Sequence, residues 1–190
     1  MQKMVKVDKI ILLVGLMGSG KTSVGKRLAR RLSLPFIDGD QEIEKAAGLS
    51  LVEVFRCFGE KEYRAGEQRV MKRLLQGEPC VLASGGGSFV ASQTRELAKK
   101  HALTVWLKAD IDTLYNRTAG RTRRPFLLGD NNMVKAKLEE YITEEYPYYS
   151  EADIVVETKN ERVENTVRHV VSAINRFYHQ QKPLEQEKNS

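Results

Sequence analysis

A three-layer α/β/α fold built on a central parallel sheet is predicted for this chain of 190 residues by three observations. The run Ile10-Ile11-Leu12-Leu13-Val14 is apolar without interruption, as in a strand covered on both faces. It leads into Gly15-Leu16-Met17-Gly18-Ser19-Gly20-Lys21-Thr22, which fits the phosphate-loop pattern G-x-x-x-x-G-K-[S/T] at every required position. Strand-like and helix-like segments then alternate along the chain, the order that wraps helices over both faces of a parallel sheet.

The elements follow in order. Val24, Leu28 and Leu32, four residues apart, predict a helix over 23–32. Pro35-Phe36-Ile37-Asp38 reads as a short strand ending in two acids, Asp38 and Asp40, around Gly39. Residues 41–47 form a short helix stopped at Gly48. Ser50-Leu51-Val52-Glu53 is a capping box, in which the Ser50 hydroxyl and the Glu53 carboxylate each satisfy a free N–H of an opening turn. That helix ends at Gly59, and 60–75 continue helical until Gly77 and Pro79. Cys80-Val81-Leu82-Ala83 is the next buried strand and runs into Ser84-Gly85-Gly86-Gly87-Ser88, a glycine run of the kind that marks close approach by a ligand or another backbone. Helix 92–100, strand 103–107 and a helix opened by Asp110 come next. Residues 120–132 lack periodicity and contain Arg121, Arg123 and Arg124, so they read as a mobile basic loop. A helix over 133–146 is expected to stop before Pro147. Ile154-Val155-Val156 is a last short strand, and 163–178 a closing amphipathic helix. The polar stretch 180–190 has no apolar face to bury and is expected to be disordered, leaving one domain over 1–179.

Composition narrows the classes of function. With 41% hydrophobic and 29% charged residues, the chain reads as neither disordered nor membrane-embedded. The net charge of +6 comes from dispersed basic residues, so a nucleic-acid partner is not expected. The apolar run 10–14 is far shorter than the ~20 residues of a membrane span, and the first eight residues lack the apolar core of a signal peptide, so no membrane contact is expected and the cytoplasm is the expected location. Cys57 and Cys80 have no metal-site spacing, and His101, His169 and His179 are scattered.

The phosphate loop predicts nucleotide binding. Its glycines let the backbone close around phosphate oxygens. Gly18, Ser19, Gly20 and Ser23 cradle the anion at a helix N-terminus, Lys21 reaches the β/γ-phosphates, and the Thr22 hydroxyl is placed to ligate Mg²⁺. Phosphoryl transfer also needs an acid near the metal, cations on the transferring group and a positioned acceptor hydroxyl. Asp38 and Asp40 follow a strand whose C-terminal edge lies beside the phosphate loop, so one can support Mg²⁺ through water and the other can hold a substrate hydroxyl. Arg64 lies on the helix after the capping box, the loop Gly85-Gly86-Gly87 lies at the same sheet edge, and Arg121, Arg123 and Arg124 suggest a lid over the phosphates. A switch GTPase or motor ATPase would place an acid at the end of the third strand, where this chain has Ser84 and glycines. The acids after the second strand fit a small kinase instead.

The ordered set of the phosphate loop, Phe36-Ile37-Asp38-Gly39-Asp40, Arg64 within Glu62-Tyr63-Arg64-Ala65-Gly66-Glu67, the triple glycine and Arg124-Pro125 resembles shikimate kinase from Ile10 to Phe177. The resemblance implies a nucleoside-monophosphate-kinase-like fold with a lid over about 119–132 and a helical substrate-binding segment over about 40–76. It implies transfer of the ATP γ-phosphate to the 3-hydroxyl of shikimate. By the same resemblance Lys21, Asp40 and Arg124 are catalytic, Asp40 holding the acceptor hydroxyl as its base. Asp38 supports Mg²⁺, Arg64 grips the acceptor carboxylate, Gly86 and Gly87 present backbone to it, and Arg117 flanks adenine. The family pattern also places a second carboxylate-binding arginine two positions before a Pro-Leu-Tyr. Here that position is Glu145, in Thr143-Glu144-Glu145-Tyr146-Pro147-Tyr148-Tyr149. Glu145 either faces inward, opposing a carboxylate and competing for Arg64, or turns to solvent while Arg123 or Lys137 takes over. Shikimate is the expected acceptor. A different cyclitol, and a nucleotide-sensing module with little turnover, stay open as alternatives. A monomer is the default expectation.

Overall fold

The computed structural model describes residues 7–118 and 131–186, with Asn131 and residues 181–186 described by their backbone alone. Five strands form one sheet in the order β2-β3-β1-β4-β5, every neighbouring pair parallel. They are β1 (Ile10–Val14), β2 (Phe36–Asp38), β3 (Val81–Ala83), β4 (Ala102–Ala109) and β5 (Ile154–Thr158). The helices are α1 (Lys21–Leu32), α2 (Gly39–Ala47), α3 (Leu51–Leu75), α4 (Ser92–His101), α5 (Ile111–Thr118), α6 (Asn131–Tyr149) and α7 (Val163–Gln186).

The central strand explains the layering. All five residues of β1 are buried, and the two-residue period of a strand sends them to opposite faces. Ile10, Leu12 and Val14 join a core with Met71, Leu75, Leu114 and Leu138, from α3, α5 and α6. Ile11 and Leu13 join a second core with Val24, Leu28, Val170 and Ile174, from α1 and α7. An unbroken apolar run is therefore required at this position. β5, at the edge of the sheet, alternates buried and exposed residues instead, and Val155 is open to solvent.

Parallel register then brings three loop ends together. Leu13 pairs with Ala83, and Ala83 with Asp38, so the phosphate loop, the triple glycine and the two acids leave the sheet side by side. The Ser84 N–H donates to the Leu13 carbonyl at 3.0 Å and holds the β1 and β3 exits in contact.

The capping box of α3 forms as the sequence predicts. The Ser50 hydroxyl accepts from the Glu53 N–H at 3.3 Å, and the Glu53 carboxylate accepts from the Ser50 N–H at 2.8 Å. The break at Gly59 is also present, as a residue at φ 78° and ψ 174° inside the otherwise continuous α3. Two boundaries differ from expectation. α6 does not stop before Pro147 but continues to Tyr149. An internal proline removes one helix hydrogen bond and costs about 3 kcal/mol. Here it is offset by Tyr149, which is fully buried, stacks on Phe89 and packs against Trp106. α7 runs to Gln186, so 180–186 are helical rather than disordered. Extending a helix that α1 and β5 already anchor is far easier than starting one.

Because Phe89 is buried and its ring stacks on the residue that closes α6, Phe89→Ala should lower unfolding free energy by about 3–5 kcal/mol. Urea unfolding followed by tryptophan fluorescence measures this.

Candidate active site

The phosphate loop curls between β1 and α1 with Gly15, Gly18 and Gly20 all at positive φ. At Gly15 a side chain is excluded twice: φ is 136°, and a Cβ would lie 2.7 Å from the Leu107 carbonyl oxygen. Lys21, 9% exposed, folds back over the loop and donates to the carbonyls of Gly15 at 2.7 Å and Leu16 at 3.1 Å. Its ammonium group is thus held by neutral oxygens at the mouth of a cleft of about 460 Å³ that also exposes Gly18, Thr22, Asp38, Asp40 and Arg117.

Across that cleft the Thr22 hydroxyl donates to Asp38 Oδ2 at 2.8 Å. The other oxygen of Asp38 accepts the Asp40 N–H at 3.2 Å, so Asp38, and not Asp40, is the N-cap of α2. Capping fixes the Asp38 carboxylate and sets Asp40 one step into the first turn, on the cleft wall near Ser84 and Gly86. A hydroxyl and a carboxylate 2.8 Å apart are hard oxygen donors. They fit Mg²⁺, which takes one or two protein oxygens and completes its shell with water and phosphate. Among the described residues no group of three or more His, Cys, Asp or Glu forms a dedicated metal cage.

Arg117, in the last turn of α5, donates to the carbonyls of Ser19 at 3.2 Å and Lys159 on the β5–α7 connection. It lines the same cleft as Lys21 and Thr22. Arg121, Arg123 and Arg124 lie outside the described residues, as do 119–130 of the lid they were assigned to, while 131 and 132 of that lid are the start of helix α6.

The other side of the site is built on α3, α6 and the triple glycine. Arg64 donates to Glu67 Oε2 at 3.0 Å and to the Gly86 carbonyl at 3.3 Å, and lies 3.7 Å from Glu60. A Cβ on Gly87, whose φ is +86°, would come within 3.1 Å of that guanidinium. Gly85 is tighter still. A Cβ there would meet Glu67 Oε1 at 2.7 Å and Asp40 Oδ1 at 2.8 Å, so the absence of a side chain is what lets the two acids converge.

Glu145 does not turn to solvent. It is 8% exposed, and its Oε2 accepts the Tyr149 hydroxyl at 2.7 Å, while the same hydroxyl accepts the Gly87 N–H at 3.2 Å. The outward reading fails because Tyr149, one helical turn later, is buried and its hydroxyl is satisfied by Glu145. Lys137, one of the two cations suggested as a replacement, is ion-paired with Glu140 at 2.7 Å. Burial holds the Glu145 carboxyl above its ordinary range, opposed by the Tyr149 hydrogen bond and by Arg64.

Two members of this arrangement were not singled out in the sequence. Glu67 is 2% exposed, and burial pushes its carboxyl up to about 7 despite Arg64, with Asp40 and Glu145 adding to the rise. Its spacing three residues after Arg64 was the available signal. Tyr149 had none, because it follows a proline at which the helix was expected to end.

The shikimate kinase family model matches residues 17–175. The chain belongs to the shikimate kinase family. A shikimate kinase of Paramagnetospirillum magneticum is 47% identical over 170 residues, 89% of this chain and 86% of that one. One from Caulobacter vibrioides is 51% identical over 150 residues, 79% and 74% of the respective chains. Among solved structures, the shikimate kinase of Acinetobacter baumannii in complex with shikimate superposes with a TM-score of 0.85 at 32% identity, over 89% of this chain and 94% of that one. Membership in the shikimate kinase family makes the protein an ATP-dependent phosphotransferase and accounts for the five-stranded parallel sheet with helices on both faces.

Two outcomes follow from the geometry. Gly85→Ala should leave the protein folded by circular dichroism but cut turnover at least about tenfold, since the added methyl displaces Asp40 or Glu67. A carboxyl raised in the folded state stabilises the fold fully below its unfolded value of 4.5 and loses that contribution as pH rises through about 7. Thermal stability should therefore fall between these limits, and fall less in Glu67→Gln.

Proposed function

We propose that this protein transfers the γ-phosphoryl group of ATP to the 3-hydroxyl of shikimate. The observation that carries the proposal is that two clefts adjoin at the triple glycine: a phosphate cradle and the Thr22–Asp38 pair line the first with Asp40 and Gly86, and Arg64 and Gly87 line the second. The name shared by the curated relatives, and the shikimate bound in the Acinetobacter structure, favour shikimate over other cyclitols and over a sensor without turnover.

In this mechanism the backbone N–H groups of Gly18, Ser19, Gly20 and Ser23, at the start of α1, bind the β- and γ-phosphates. Lys21 leaves the Gly15 and Leu16 carbonyls for a phosphate oxygen, exchanging neutral acceptors for charged ones. Thr22, and Asp38 through water, are the residues that would hold Mg²⁺, which when bound neutralises phosphate charge. Asp40 accepts the hydrogen bond of the acceptor hydroxyl, orients it toward the γ-phosphorus and takes its proton as the new bond forms. Arg64 binds the acceptor carboxylate after loosening from the Gly86 carbonyl, and the backbone of Gly85, Gly86 and Gly87 borders the ring. Arg117 flanks the adenine, and Arg124 stabilises the transferring group. One copy of the chain carries every group named, so a monomer suffices. No described helix is long and apolar enough to cross a membrane; the cytoplasm is the place of action proposed with this function.

The test is ADP release from ATP and Mg²⁺ with and without shikimate. Release that depends on shikimate is expected, and a rate indifferent to it would sink the proposal. Asp40→Asn should bind ATP normally while turnover drops by about 10²-fold or more; ordinary turnover in that variant would remove Asp40 from its role.

A further inference from the structure

The acceptor half of the site is a cavity of about 590 Å³ in which, among the described residues that line it, Arg64 is the sole cationic side chain and Glu60, Glu67, Glu144 and Glu145 are carboxylates. Two of the four differ from the others in being buried. Glu67 is already committed to Arg64 through a 3.0 Å ion pair. Glu145 enters from the opposite wall on α6, held by the Tyr149 hydroxyl, which in turn accepts the N–H of Gly87 beside the Arg64 guanidinium. An anion that reaches Arg64 must therefore share the guanidinium with one carboxylate and lie near a second. We propose that Glu145 is a specificity-determining residue whose ionised form opposes the acceptor's carboxylate at Arg64 and whose protonated form admits it.

The inference deepens the proposed function and rests on it. The groups facing Glu145 are Arg64 and Glu67 from α3, Lys21 from α1, and Tyr141, Glu144 and Tyr149 on its own helix. Burial shifts Glu145 toward its neutral form, with Glu144 adding to that shift. Tyr149, Arg64 and Lys21 oppose it. An arriving carboxylate adds negative charge, raises Glu145 further and takes up a proton. Binding of an anionic acceptor must then weaken as pH rises through the titration of Glu145, while binding of the same ring without the charge must not. Glu67 also titrates near Arg64, so the variant of Glu145 is needed to separate the two.

The experiment is calorimetric titration of shikimate and of its uncharged methyl ester into the ADP-bound protein between pH 5.5 and 8.5. The readout is the ratio of the two dissociation constants. In the unmodified protein the ratio should climb with pH. In Glu145→Gln, which keeps the shape and a partner for Tyr149 but carries no charge, the ratio at pH 8 should fall by about tenfold. A ratio independent of pH in the unmodified protein, or unchanged in Glu145→Gln, overturns this inference alone and leaves the kinase reading intact. Binding of neither compound at any pH overturns both. If Glu145→Gln does not fold, the pH course of the ratio in the unmodified protein, compared with Glu67→Gln, decides: a climb that survives in Glu67→Gln supports Glu145, and one that vanishes there assigns the effect to Glu67.

Discussion

The 2.8 Å hydrogen bond from Thr22 to Asp38 exists only because β1 and β2, separated by β3, end at the same height in a parallel sheet. Thr22 belongs to the helix that leaves β1, and Asp38 terminates β2. Each is anchored by a separate local device: Thr22 by the glycine turns that start α1, and Asp38 by its duty as the cap of α2. A shift of register by one residue in either strand would turn these side chains to opposite faces. The apolar strands, with their two cores, therefore do more than supply stability; they fix the alignment on which the nucleotide half of the site depends.

The acceptor half is assembled on a different principle. Its charged groups come from the consecutive helices α2 and α3 and from the distant α6, and those of α2 and α3 converge on a glycine loop too thin to keep them apart. Asp40, Glu67 and Glu145 gather near a single arginine, and burial drives the latter two toward their neutral forms. Such a concentration of acids is unfavourable for folding unless cations or protons compensate it. That concentration lies beside Arg64 and the triple glycine, and pH acts on it.

Much of the site could be read directly. The phosphate loop, Asp38, Asp40 and the triple glycine declare themselves because each sits at a boundary between elements, where residue type and backbone demand coincide; Arg64, inside α3, carries no such signal. Pro147 misled for the opposite reason. A local rule ended the helix there, whereas a distant contact, Tyr149 on Phe89, outweighed it. The same contact decided Glu145. Its inward orientation follows from a buried hydroxyl one turn later that needed a partner, and nothing in the local sequence announces that Tyr149 is buried.

By itself the amino-acid order determined the fold class and the glycine geometry of the phosphate loop, and put forward the candidate residues for phosphoryl transfer, since period, glycine placement and capping act over a few residues. Only the tertiary structure decided which acid caps α2, that Glu67 holds Arg64, and that Glu145 faces the cavity beside Arg64. Those outcomes depend on burial and on partners dozens of residues away, and desolvation is a property of the packed molecule rather than of any segment.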